Sequence, residues 1–389
     1  MKNAQSNSVA VLALNPAVDI GYEVAQLIAD RKVQADKTAY HPGGNGINVA
    51  LGLTRLAVPI CCCSVVGGES GDLLLRLLGD SLGGNHKIFR VAGETRLNAT
   101  LLQKHPPSQY EVASQGPEIP ADVLHELDEC FLADCETGYG VLTGSIPPGV
   151  PDTHYRQLTD RIQRQGGKAV VDAHGALLQQ AIEAQPYLVR VNHYVLEMTT
   201  RQRLDDVEAV AGAARELQQR GIDKLCISLG ARGAILLDDA NSYHCTAPRV
   251  RVLSTVGCGD ALLAGLLAAD QRGEDLPNML RLGVVCGSAT AAHPGTLLFT
   301  TEEVTQSSYE LEMTALDISI RCRLERNKLD PRDRPRHTRL FLLLPVSDLV
   351  GLIAPLPIIL LFRYARAMPL FQLALPTARD QIFRAIGKK

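Results

Sequence analysis

Asp260 is the lone carboxylate in LSTVGCGDALLAGL at 253–266, directly behind a glycine-cysteine-glycine turn. RVRVLS at 249–254 reads as a strand and ALLAGLLAAD at 261–270 as a helix. Gly257, Cys258 and Gly259 then form a strand-to-helix turn whose backbone N–H groups point out of a helix N-terminus, an anion site. Glycine removes the β-carbons that would keep a phosphate off the backbone. Asp260, in the first turn, reaches a group lying beside that phosphate. The pair suits phosphoryl transfer: the turn stabilises charge on the moving group while the carboxylate takes the proton of the attacking hydroxyl. Standing alone, the same pattern also describes an aspartate that only complements the helix dipole.

A second stretch, HPGGNGINVALGLTRLAVP at 41–59, sets a glycine-rich turn ahead of an amphipathic helix and offers Asn48 at its start. It is neither a G-x-x-x-x-G-K-[ST] phosphate loop nor a dinucleotide fingerprint, whose third glycine it lacks. By itself it is a plain helix-start turn.

The elements that must carry these residues alternate from residue 8 to about 300. SVAVLAL, PICCCSVVG, GYGVLTGS, KAVVDA, YLVRVN, KLCISLG and GAILLDD read as buried strands. DLLLRLLGDSL, PADVLHELDECFL, DTHYRQLTDRIQRQ and VEAVAGAARELQQRG have helical spacing. The alternation predicts an α/β fold, a mainly parallel sheet covered by helices on both faces, with ligands at the carboxyl ends of its strands. Residues about 20–40 and 95–114 break the rhythm with polar and apolar residues in alternation. They read as a small antiparallel sheet, either a lid or an ordinary edge hairpin.

A net charge of -3 gives no reason to expect a nucleic-acid partner. Ten cysteines without a C-x-x-C pair, three of them consecutive at 61–63, read as buried reduced thiols. The N-terminus lacks a secretory signal, so a cytoplasmic location is expected. Beyond residue 312 the chain turns arginine-rich and then apolar at 340–362, where Pro345, Asp348, Pro355 and Pro357 interrupt a run of membrane-span length. A membrane anchor, a fused segment and residues outside selection for the fold all describe this tail. The last two are favoured over membrane contact.

Together, GGNGINVA and STVGCGDALLAG resemble the two signatures of the ribokinase-like PfkB sugar kinases, and LNPAVD, ETRLN, TGSIPPGV, VVDAHGALL and SLGARGA are similar to further segments of the phosphofructokinase branch. The resemblance covers about residues 8–310 and implies a kinase domain over 1–312, with the tail 313–389 outside it. It also implies a ribokinase-like sheet with an antiparallel β lid, ATP and Mg2+, a sugar-phosphate substrate, and a homodimer joined through the lid. Residue by residue, it makes Asp260 the base and Gly257, Cys258 and Gly259 the anion hole. Asp19, Gly43, Gly44 and Asn48 would hold sugar hydroxyls, Lys32 and Arg96 the existing phosphate, with Ser145 nearby. Asn192, Ser228, Gly230, Gly233, Ser254 and Thr255 would contact ATP.

Two departures stand out. The family's lysine-proline-asparagine with a following glutamate is here Arg190-Val191-Asn192 with Val195, and Glu197 falls two residues late. The anion hole carries Cys258, a thiol whose pKa should fall at a helix N-terminus. LNPAVD and TRLN are close to 1-phosphofructokinases and tagatose-6-phosphate kinases. HPGGNGIN, SIPPGV, VVDAHGAL and RLGVVCGSATAAHPGT look more like PfkB-type 6-phosphofructokinases. Fructose 6-phosphate is therefore the expected acceptor. A catalytically impaired sugar-phosphate or nucleotide sensor is the reading from another class, motivated by Val195 and opposed by the intact Asp260.

Overall fold

The computed structural model describes residues 8–306 and 310–317. Their strands are β1 (Val9–Ala13), β2 (Ala17–Val24), β3 (Lys37–Gly43), β4 (Ile60–Val66), β5 (His86–Arg90), β6 (Arg96–Gln103), β7 (Ser108–Val112), β8 (Tyr139–Thr143), β9 (Lys168–Asp172), β10 (Leu188–Asn192), β11 (Lys224–Ser228), β12 (Ala234–Leu237), β13 (Ser242–Cys245) and β14 (Met313–Ala315). Ten of them form one sheet in the order β14, β13, β12, β11, β10, β9, β8, β1, β4, β5. Pairing is parallel from β5 to β11 and antiparallel from β11 to β14.

The inner strands β1, β4, β8, β9, β10, β11 and β12 are mainly apolar because helices cover both faces. On β1, Val9, Val11 and Ala13 pack with the helices Asn45–Arg55, Cys258–Gln271 and Leu276–Ala291. Ala10 and Leu12 pack on the opposite side with Ala121–Cys135 and His154–Arg164. The consecutive cysteines obey the same alternation, Cys62 joining the first core and Cys63 the second. All nine cysteines among the described residues are free, and Cys61, Cys130 and Cys258 are only half-buried.

Strand order reverses beside β1. From there the chain builds outward to β4 and β5, then returns at β8 and builds the other way through β9, β10 and β11. The connections leaving β1 and β8 diverge at their carboxyl ends, which opens a crevice at that point. Asn15 follows β1, Gly144 and Ser145 follow β8, Asp172 ends β9 and Asn192 ends β10.

The two stretches that broke the rhythm supply a separate four-stranded sheet, in the order β3, β2, β6, β7. Its outer pairings are antiparallel and its central pairing, β2 with β6, is parallel. Alternation on β6 and β7 sets Arg96, Asn98, Gln109 and Glu111 against Leu97, Tyr110 and Val112, and these last three are exposed.

One expected strand does not form. Residues 249–254 run as irregular chain, and the Leu253 N–H donates to the Ala291 carbonyl of a helix at 2.8 Å. The Arg-Val alternation imitates a half-buried strand, yet Val252 and Leu253 are both exposed. Past residue 312, Met313–Ala315 pairs with β13 at the edge of the large sheet. From residue 318 the tail, with its apolar run at 340–362, lies outside the described residues. Among the described residues, no helix is long and apolar enough to cross a membrane.

Candidate active site

The helix Cys258–Gln271 starts at Gly257, whose φ of 77° is left-handed and suits glycine. That conformation turns the irregular 249–256 segment into the helix and brings Asp260 into its first turn. Asp260 is buried and accepts hydrogen bonds from Asn45 Nδ2 at 2.9 Å and Asn48 Nδ2 at 2.8 Å. Both asparagines lie on the helix that opens with the GGNGIN turn. The two glycine-rich stretches therefore meet at one carboxylate. Burial, then the nearby Asp172, lift Asp260 from 3.8 to about 7, against the hydrogen bonds of the asparagines and the charge of Arg190.

Asp260 faces a cavity of about 610 Å³. Its lining unites Asp19, Gly44, Asn48, Arg96, Ser145, Asn192, Thr255, Gly257 and Gly259 from the expected set. Burial raises Asp19 to about 6, although Asn98 Nδ2 donates to it at 2.9 Å. Gly43 abuts Asp19 so closely that a Cβ there would lie 2.0 Å from its carboxylate. Arg96 Nε donates to the Asn15 carbonyl at 3.0 Å, and Asn15 Nδ2 donates to Ser145 Oγ at 3.0 Å. Three amide oxygens beside this end, Asn15 Oδ1, Asn48 Oδ1 and Asn98 Oδ1, are buried without a partner. Buried acceptors of that kind suit the hydroxyls of a polyol.

At the other end the Arg190 side chain, 12% exposed, lies 3.1 Å from Asp172 and donates to Ser228 Oγ at 2.8 Å. Burial works against its charge, but Asp172 and Asp260 hold its pKa above the ordinary value. Its guanidinium occupies the space above Gly259, where a Cβ would lie 2.2 Å from it. An arginine fork thus sits against the first turn of the helix, in the place a phosphate would take up. The Asn192 side chain caps the helix His193–Thr200 by accepting from the Val195 N–H. Val195 lines the cavity, and Glu197 turns away to accept from the Leu204 N–H at 2.9 Å.

Several expected residues lie outside the lining. Lys32 is exposed on the loop between β2 and β3. Gly230 and Gly233 form the tight turn after β11, with φ of 62° and 91°. Ser254 is buried and accepts from the Val256 N–H. Cys258 points its thiol at the Ser254 carbonyl, and its expected acidity is corrected: burial and then Asp260 push it up to about 12. Desolvation and a neighbouring carboxylate outweigh the helix N-terminus.

The arrangement couples a buried carboxylate of near-neutral pKa to a helix N-terminus, with an arginine at each end of one cavity. Residues 8–303 match the pfkB family carbohydrate kinases. The chain belongs to that family. It is 30% identical over 308 residues to the 1-phosphofructokinase of Bacillus subtilis, covering 79% of this chain and all of that one. Phosphofructokinase-2 of Escherichia coli, solved in complex with substrates and products, superposes with a TM-score of 0.71 at 29% identity, over 77% of this chain and 97% of that one. The same enzyme in complex with fructose-6-phosphate gives 0.67 at 27% identity, over 77% and 96%. This pfkB chain is a sugar phosphotransferase of the phosphofructokinase type.

The sequence reading passed over Asn45, Asn98, Asp172 and Arg190 as site residues. Asn98 was accessible through alternation, two residues from Arg96 on one strand. Asn45 stood in the quoted GGNGIN. Nothing in the order of residues says that Arg190, within β10, and Asp172, at the end of neighbouring β9, share a charge pair.

Proposed function

We propose that the protein transfers the γ-phosphoryl group of ATP to the free primary hydroxyl of fructose 6-phosphate, giving fructose 1,6-bisphosphate and ADP. The observation that carries the reading is Asp260: a buried carboxylate held near pKa 7 by burial, fixed between two asparagines, beside the first turn of a helix. The fructose-6-phosphate complex of the structural neighbour supports the choice of acceptor.

In this reading Arg96 binds the phosphate already on the sugar, with Ser145 beside it, while Asp19, Gly43, Gly44 and Asn48 orient the hydroxyls. Asp260 takes the proton as the sugar oxygen attacks the γ-phosphorus, and the bond to the leaving ADP oxygen breaks. Backbone N–H groups of the Gly257–Gly259 turn and the Arg190 guanidinium meet the charge that develops on the transferring group. Asn192, Ser228, Gly230, Gly233, Ser254 and Thr255 frame the nucleotide end, with Cys258 filling the turn.

Mg2+ fits this site as an ion carried by ATP. Val195 leaves no carboxylate at the expected position, Glu197 is committed to Leu204, and Asp172 is committed to Arg190. The exposed Tyr40, Leu97, Tyr110 and Val112 support pairing of two copies through the small sheet, the lid of this reading. Gln109 on that sheet already bridges to Thr255 Oγ1 at 3.1 Å. An ATP-dependent sugar kinase suits the cytoplasm, with a kinase unit that runs past the expected boundary at 312 to include Met313–Ala315, paired with β13, and the rest of 313–389 as a tail of separate origin.

Phosphorylation of fructose 1-phosphate or tagatose 6-phosphate is the second reading, favoured by the name of the Bacillus subtilis relative. Comparing kcat/KM for fructose 6-phosphate, fructose 1-phosphate and tagatose 6-phosphate separates the two. Preference for fructose 6-phosphate by tenfold or more is expected, and preference for either competitor overturns the assignment. A protein that binds ATP and turns over none of them would be the impaired sensor.

A further inference from the structure

Strand β4 carries Cys61 and Cys63 on one face, because side chains two apart on a strand point the same way. The helix Ala121–Cys135 carries Cys130 and Asp134 one turn apart on the face that meets them. Cys61 Sγ donates to Asp134 Oδ2 at 2.9 Å, and Cys63 Sγ lies 3.8 Å from the same oxygen. Lys87 on β5 binds the other carboxylate oxygen at 2.7 Å. The Cys130 thiol stands beside both Cys63 and Lys87. None of these groups lines the cavity that holds Asp260.

We propose that Cys61, Cys63 and Asp134 form a binding site for a thiophilic divalent cation of the Zn2+ class, with water as the fourth ligand. The donor atoms of the three ligands all lie within 4.8 Å of one another. Two thiolates on one tetrahedral zinc, each about 2.3 Å from it, stand roughly 3.8 Å apart, so closure asks for a shift of about 1 Å or less. Thiolate sulfur selects zinc and its soft relatives over Mg2+ and Ca2+, which prefer all-oxygen shells. Cys61 is half-buried and gives the ion a path in, while Cys63 is fully buried.

The charges balance. Binding releases one proton from each of the two thiols, leaving two thiolates and one carboxylate around a dication, a net charge of minus one that Lys87 offsets. Asp134 exchanges its thiol donors for the metal and keeps Lys87 on its second oxygen. The ion would then tie the sheet to the helix that covers it, at the end of β4 away from the catalytic crevice.

The test uses the reduced, full-length chain. Cd2+ is titrated while the ultraviolet cadmium-thiolate absorption is followed, and Zn2+ is competed against a chromophoric chelator. Wild type and Cys258→Ser are expected to take up one tight equivalent per chain and to gain in Tm. Cys61→Ser and Asp134→Asn are expected to lose that equivalent, with a metal-free Tm close to wild type showing that they fold. No cadmium-thiolate band in wild type overturns the proposal. So does a band kept by Cys61→Ser, or metal affinity unchanged in Asp134→Asn.

Discussion

Replacing Asp260 by asparagine should lower kcat by about 10²- to 10⁴-fold and, above neutral pH, make the protein more stable. An aspartate whose folded pKa lies at about 7 against an ordinary 3.8 is costly to keep ionised. At roughly 1.4 kcal/mol per pH unit, the ionised carboxylate costs about 4 kcal/mol in the folded state at pH 8. The sign follows from proton binding: between pH 3.8 and about 7 the folded chain holds a proton that the unfolded chain has released. Stability from this group is therefore full at low pH and is lost as pH rises through about 7. Asparagine carries no charge, but it offers one acceptor to Asn45 and Asn48 where the carboxylate offers two, which returns about 1–2 kcal/mol. The net expectation is a gain of about 2–3 kcal/mol at pH 8 and none, or a small loss, at pH 4. Urea unfolding of wild type and Asp260→Asn at the two pH values measures it. A variant less stable than wild type at pH 8, or a difference that does not change with pH, would refute the claim that burial strains this carboxylate.

Four further outcomes follow from the same geometry. With Asp260 as base, log kcat/KM for the sugar phosphate should climb with pH and level off above about 7, with Asp19 contributing on the acid side near 6; a flat profile from pH 5.5 to 8 would remove both from the chemistry. Arg190→Met strands the buried Asp172 and should cost about 3–5 kcal/mol in urea unfolding as well as lowering kcat, whereas an unchanged midpoint would mean the pair is dispensable. Val195→Glu puts a carboxylate on the cavity wall and should lower the Mg2+ concentration for half-maximal rate several-fold, so an unaltered magnesium dependence would place residue 195 away from the nucleotide phosphates. Cys258, its thiol pushed up to about 12, should be alkylated more slowly than Cys61 at pH 7.5, with ATP slowing it further; mass spectrometry of a partly labelled sample decides this, and preferential labelling of Cys258 would contradict the structure.

What the sequence could show and what it could not divides along physical lines. Continuous apolar runs gave β1, β4, β8, β9, β10, β11 and β12, since a strand covered on both faces must be apolar throughout. The same logic failed at 249–254, where alternation came from an exposed connection, and passed over β5 and β13, which are half-polar strands near the sheet edges. Asp260 and Asn48 were legible beside their glycine-rich turns, and Asp19 and Arg96 through the resemblance of LNPAVD and ETRLN to the phosphofructokinase branch; all four line the cavity. The charge pair of Arg190 with Asp172 was not, because it depends on which strands become neighbours. The acidity expected of Cys258 went wrong for a related reason: a helix N-terminus is visible in sequence, while burial and an adjacent carboxylate are visible only in the fold. The CCC run, read as inert core, divides between the two faces of β4 and leaves two of its thiols against Asp134.

With Asp260 as the base, phosphorylation of fructose 6-phosphate by this pfkB chain depends on that one carboxylate. ADP release from full-length protein with fructose 6-phosphate, ATP and Mg2+, measured beside Asp260→Asn, tests it most directly. Turnover is expected in wild type, with a fall of about 10²- to 10⁴-fold in kcat for the variant and ATP binding retained. A variant that keeps wild-type kcat, or a wild type that binds ATP and releases no ADP with this sugar phosphate, would contradict it.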